Sequence, residues 1–337
     1  MVSKTKLRED RMKKMSSLKV AMVLCIGLTL ALFTTGSAHA KELLPMKVSY
    51  IPIMDCQQLY VAWEKGYLEE EGLKVEGQTV QSGSMSQTLV ESGSVDLGWT
   101  AVVPLSQAYV KGFDFAFIAP GSFVDGTNRK TVGIVVKKDS PIQSFKELAG
   151  KKVAINALQS INHLGVLVLA DFYGVDAKTM KFVEIPMPSQ IPAIKEGAVD
   201  AAHAAEPFIA AAEAEGIIRM IVPGYYPPEI ADRMMAASWF AKKSSLEKNK
   251  DKMTRFLKAM TKATDFINKN PDQIPAIVAK YTKMDVNLLK KVAPPRFYTK
   301  VNKKEIQVSI DQCAKYGFIK NGFDAKEIVA TNLVPLQ

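Results

Sequence analysis

From residue 46 onward, short apolar runs alternate with stretches whose apolar side chains recur at helical spacing. Residues 46–53 read as a strand whose end is set by Pro52, since proline cannot donate to a ladder. Residues 57–68 read as a helix, with Leu59, Tyr60, Trp63 and Tyr67 favouring one side. Gly72 breaks the chain before a second strand over 73–79. Ser82-Gly83-Ser84 precedes a helix that ends near Gly93, and a short strand follows over 95–99. A helical start at 104–109 and a strand at 115–119 continue the alternation. This order predicts an α/β fold with mainly parallel sheets and helices on both faces.

The same grammar resumes at 132–137, a strand that ends in charged residues. A helical turn at 144–148, a strand within 150–156 and a helix over 164–172 follow, the last with Ser160 as its candidate cap. A strand at 182–185 and a helix at 189–195 complete the set. Gly197-Ala198-Val199-Asp200 then repeats the earlier Gly93-Ser94-Val95-Asp96, each between a helix and a buried strand. This echo predicts two similarly built lobes rather than one long sheet. Residues 223–228 interrupt the second lobe, and 235–240 read as a returning strand. Helices are expected at 246–268, 272–281, 286–292 and 304–316, with Lys-rich solvated faces and with Pro271, Pro294 and Pro295 at their boundaries.

The first forty residues have a different pattern. Seven Lys or Arg lie between Lys4 and Lys19, an uncharged and mostly apolar run of fourteen spans 20–33, and Ala38 and Ala40 have the small-residue spacing of a cleavage site. This is the form of a secretory signal, with cleavage expected after Ala40, and the run falls short of the ~20 residues of a membrane span. Leu24 before Cys25 does not suit a lipoprotein signal. The leader carries about half of the formal +10, so the remainder has only a mild basic excess. Its Lys and Arg are spread along helices, which gives nucleic-acid binding no support. Cys56 and Cys313 fit no metal motif; an exported protein permits a disulfide, but two free buried thiols are favoured. His163 and His203 form no spaced pair and read as local structure.

In parallel α/β sheets, ligands bind outside the carboxyl ends of strands. That rule selects Asp55, Cys56 and Gln57 after the first strand, then Ser82, Gly83 and Ser84 at a helix start. Hydroxyls and first-turn amides there suit an anion, or form an ordinary cap. Thr100 and Ala101 follow another strand, and Asn156, Gln159 and Ser160 hold the matching place in the second lobe. Glu206, before Pro207, offers a carboxylate to an amine or ring N–H, or holds its own turn. Arg129 lies just before the crossover between lobes, where its guanidinium suits a carboxylate or sulfonate. Tyr60, Trp99, Tyr225 and Trp239 read first as core and second as pocket walls. Asp96 and Asp200 read as structural carboxylates at equivalent turns. No nucleophile–base set, phosphate loop, dinucleotide fingerprint or Cys-x-x-Cys pair occurs. Binding rather than catalysis is expected, with no cofactor and no metal.

Four segments in order carry a family resemblance: residues 62–73, 89–98, 144–153 and 194–201, completed by Glu206-Pro207. With them the chain resembles periplasmic substrate-binding proteins of the nitrate/sulfonate/taurine type, in the NMT1/THI5-like family. The resemblance implies a two-lobed type II periplasmic-binding-protein fold. Lobe one would comprise 41–130 plus 234–337, lobe two 131–223, and the return hinge 224–233. It also implies a monomer that delivers a small solute to an ABC permease from the periplasm. The solute is expected to be an anion such as a sulfonate, nitrate-like ion or carboxylate. A neutral or cationic heterocycle, or sensing through a membrane receptor, is the alternative. Relatives that make a thiamine pyrimidine precursor carry a Cys-Cys-Cys-Phe-Cys motif that this chain lacks, so heterocycle modification is disfavoured.

Overall fold

A computed structural model of the chain describes residues 42–337; the expected export signal and its expected cleavage point lie outside them. Twelve strands form two sheets. They are β1 (Leu44–Tyr50), β2 (Leu73–Thr79), β3 (Leu97–Ala101), β4 (Phe115–Phe117), β5 (Ser122–Val124), β6 (Val132–Lys137), β7 (Lys152–Ile155), β8 (Lys181–Glu184), β9 (Ala201–Ala205), β10 (Ile218–Pro223), β11 (Met234–Lys242) and β12 (Arg296–Phe297). The first sheet has the order β12-β5-β11-β3-β1-β2, with β4 also on β11. The second has the order β10-β6-β9-β7-β8.

Both sheets are mixed, for a symmetrical reason. β1 pairs parallel with β2 and β3, and β7 pairs parallel with β8 and β9. The strand arriving from the other sheet runs the opposite way in each case. β6 is antiparallel to β9 and β10, and β11 is antiparallel to β3, β4 and β5. The crossover thus enters each sheet from its far end, and local strand–helix alternation holds no signal for that reversal.

The Gly-x-Val-Asp echo has one structural role in both lobes. Gly93 and Gly197 each take φ +74°, a left-handed conformation that glycine adopts without a Cβ clash. Val95 and Val199 are buried behind the turn. The Asp96 carboxylate accepts the Lys47 N–H of β1 at 2.7 Å, and Asp200 accepts the Lys152 N–H of β7 at 2.8 Å. Each carboxylate therefore registers the next parallel strand. The turns also delay strand onset: β3 and β9 start at Leu97 and Ala201, about two residues later than the apolar pattern suggests.

Side chains of sheet two alternate as a strand period of two requires. Ile134, Val136, Val153 and Ile155 enter one core, and Val135 and Ala154 enter the opposite one. In sheet one, Trp99 and Trp239 pair across β3 and β11 and pack edge to face at 5.0 Å. The helix Lys250–Lys269 buries Met253, Phe256, Met260, Ala263 and Ile267 against this core, a stripe at i, i+3, i+4 spacing. The helix Phe208–Ala214 and strands β5, β10 and β12 have no counterpart in the sequence reading.

Candidate functional site

Carboxyl ends of strands from both sheets open on one cavity of about 60 Å³. The segments after β1 and β7 line it through Asp55 and Asn156, and the last residues of β3 and β9, Ala101 and Ala205, line it too. By the rule that a water needs about 10–15 Å³ of such space, it has room for several waters or one small polar solute. No Lys, Arg, His or Cys is among its lining residues.

Two helices point their N-termini into this cavity. The helix Gly83–Glu91 starts at Ser82, whose Oγ accepts the Met85 N–H at 3.3 Å. The helix Ile161–Phe172 starts at Ser160, whose Oγ accepts the His163 N–H at 3.2 Å. Each cap serves the third residue of its helix. The first two amides, of Gly83 and Ser84 and of Ile161 and Asn162, have no intrahelical acceptor. All four of these residues line the cavity. Gly83 is needed for this approach, because a Cβ there would lie 2.4 Å from Thr100 Oγ1. The two helices belong to different lobes, so four donors and two positive dipole ends meet across the cleft.

Asp55 is the one carboxylate among the lining residues. Ser122 Oγ donates to its Oδ1 at 2.6 Å, while burial raises its pKa from the ordinary carboxylate value. Tyr225 lines the cavity too, and burial followed by the Asp55 charge holds its phenol well above the usual range. The Oδ1 atoms of Asn156 and Asn162 are buried and have no protein partner.

The sequence candidates thus divide. Asp55, Ser82, Gly83, Ser84, Ala101, Asn156 and Ser160 meet at the cavity. Cys56 does not line it; it is fully buried, and desolvation reinforced by the Asp55 charge raises its thiol pKa well above the ordinary value. Cys56 and Cys313 are both free and buried. Gln57 is fully buried and lines a separate cavity of about 470 Å³ beside Met54, Ile267 and Leu289. Thr100 is excluded by strand period: Trp99 and Ala101 line the cavity, whereas Thr100 meets Gly83 and accepts from Gln87 Nε2 at 3.4 Å.

Arg129 is occupied elsewhere. Its Nη1 donates to Tyr226 O at 2.5 Å and its Nη2 to Ala231 O at 2.8 Å, which ties down the segment returning to sheet one. Gln159 is exposed and does not line the cavity; with φ +58° it donates its N–H to His163 Nδ1 at 3.0 Å and accepts from Gln107 Nε2 at 2.8 Å. Glu206 is 6% exposed, and its Oε2 accepts the Ala210 N–H at 2.9 Å. Desolvation raises its pKa from 4.5 to about 7. Sequence reasoning missed Asn162, Met187 and Ala236 as wall residues. The Ser160 cap was a signal for Asn162, since it places the second helical residue at the same strand end.

A model of the family described as NMT1/THI5 like matches residues 54–274. The chain is 28% identical over 223 residues to the 4-amino-5-hydroxymethyl-2-methylpyrimidine phosphate synthase of Aspergillus parasiticus, covering 63% of each chain. It is 25% identical over 288 residues to a putative aliphatic sulfonates-binding protein of Bacillus subtilis, covering 82% of this chain and 83% of that one. The periplasmic aliphatic sulphonate binding protein of Escherichia coli superposes with a TM-score of 0.69 at 20% identity, covering 86% of this chain and 98% of that one. Among the described residues, no group of three or more His, Cys, Asp or Glu is placed to hold a metal, and no helix is long and apolar enough to cross a membrane.

Proposed function

The chain belongs to the NMT1/THI5-like family, and from that membership we propose that it captures a small solute outside the cytoplasmic membrane for an ABC importer. The observation that carries this reading is the convergence of two serine-capped helix N-termini, one from each lobe, on one cavity. The solute is an anion such as a sulfonate, a nitrate-like ion or a carboxylate. Its charge is met by the amides of Gly83, Ser84, Ile161 and Asn162 rather than by a cationic side chain. Lobe one, 41–130 with 234–337, and lobe two, 131–223, close on the solute through the 224–233 return. Closure is favoured because only the closed state brings both helix ends to the same ligand. The protein acts as a periplasmic monomer, after removal of its leader, and hands the solute unchanged to a permease. The sulfonate-binding name of the Bacillus subtilis relative supports the anion class.

A neutral or cationic heterocycle is the second reading, favoured by the Asp55 carboxylate inside the cavity. Calorimetric titration of the mature protein with ethanesulfonate, propionate, nitrate and pyrimidine separates the two. Saturable binding of an anion that is abolished by Ser84→Asp, with the anion recovered intact, supports the first reading. Binding of pyrimidine alone overturns it.

A further inference from the structure

We propose that Asn162 sets ligand specificity by presenting its side-chain carbonyl to an N–H group of the captured solute, with His203 as the positioning residue that fixes this orientation. The inference deepens the capture reading and rests on it for the place of the ligand.

Asn162 is the second residue of the helix Ile161–Phe172, is fully buried and lines the cavity. Its Nδ2 donates to His203 Nδ1 at 2.9 Å and to His203 O at 3.1 Å. Both amide protons are thereby used, and Oδ1 is left buried without a partner. The orientation follows from His203 in β9. Its Nε2 faces Gly224 O at 3.3 Å, and a carbonyl only accepts. Nε2 therefore carries the single proton of the neutral ring, and Nδ1 accepts. A flipped Asn162 would set its Oδ1 against two acceptors, His203 Nδ1 and His203 O.

The surroundings hold the ring in that state. His203 is fully buried, and desolvation lowers its pKa to about 4. Tyr225 stacks on it at 5.3 Å and 21° while also lining the cavity. Gly165 lets the helix approach, since a Cβ there would lie 3.2 Å from both His203 Nε2 and Tyr225 O. Asn156 Oδ1 is a second unpartnered acceptor on the same wall, and Asp55 supplies a third acceptor from lobe one. Three residues that line the cavity thus carry acceptor oxygens for N–H groups on the solute, beside whatever the helix amides hold. An unmatched buried carbonyl is costly, so a ligand lacking the N–H group loses more than one contact.

The test uses matched pairs that differ by one amino group: 2-aminoethanesulfonate and ethanesulfonate, β-alanine and propionate, 4-aminopyrimidine and pyrimidine. For the pair that binds, wild type should favour the amino member by about tenfold or more. His203→Gln should reduce that ratio to about threefold or less, because the acceptor at the Nδ1 position is gone. His203→Asn, which returns an oxygen near that position, should restore the ratio. Long-range proton–nitrogen NMR of the wild-type imidazole gives a readout independent of variant folding and should show the Nε2–H tautomer. An Nδ1–H tautomer overturns the proposal. Equal affinity within an anion pair also overturns it while leaving anion capture intact. Preference within the pyrimidine pair alone overturns anion capture and upholds Asn162. Failure of all three pairs to bind counts against both.

Discussion

Replacing Glu206 by Gln should stabilise the protein in a pH-dependent way. Glu206 is 6% exposed, and burial raises its pKa from 4.5 to about 7. The folded state then holds this proton more tightly than the unfolded state does. The stabilising contribution is complete below pH 4.5 and is lost as pH rises to about 7. A displacement of about 2.5 pH units at 1.36 kcal/mol each amounts to about 3 kcal/mol. Gln keeps an oxygen for the Ala210 N–H and never ionises. Relative to wild type, Glu206→Gln should therefore gain about 3 kcal/mol between pH 4.5 and pH 8. Urea unfolding of both proteins at four or five pH values measures this. The half-buried His163 and the buried His203 titrate in the opposite sense, with pKa values lowered to about 4, but they cancel in the difference. A stability difference that stays flat from pH 4.5 to pH 8 would refute the desolvation argument. Since Glu206 faces Ala210 and does not line the cavity, ligand affinity should change little.

Four further substitutions probe separate links. Asp96→Ala and Asp200→Ala each remove the acceptor that registers a parallel neighbour, and denaturant titration should show a loss of about 1–3 kcal/mol in either lobe. Arg129→Ala leaves Tyr226 O and Ala231 O without their donor, so calorimetry should show lower stability and an equal effect on acidic and neutral ligands; selective loss of an acidic ligand would instead place Arg129 at the ligand. Ala157→Phe puts a ring into the cavity from a partly exposed loop, and titration should show binding lost by about a hundredfold or more with the melting temperature nearly unchanged.

The legible parts of the chain were those with local causes. Glycine followed two residues later by Val-Asp marks both strand-registering turns, because positive φ and a buried valine are needed at fixed spacing. Ser82 and Ser160 were readable as caps, since a hydroxyl before an apolar periodic stretch satisfies first-turn amides. What failed to read out was side-chain direction beyond a strand end. Thr100 and Ala101 are neighbours in sequence, yet only Ala101 faces the cavity. Arg129 stands out as a charge before the crossover and Glu206 as a carboxylate following a strand, but backbone groups of 226, 231 and 210 take their hydrogen bonds. Asn162 left only an indirect trace, because its importance depends on His203, forty-one positions away.

A crystal structure of the mature protein with a ligand identified by titration tests the central claim most directly. Capture between the lobes predicts ligand density in the cavity, with one group near the amides of Ser84 and Asn162 and contacts to both sheets. Density confined to one sheet, placed in the separate cavity beside Gln57, or bonded covalently to the chain would contradict it.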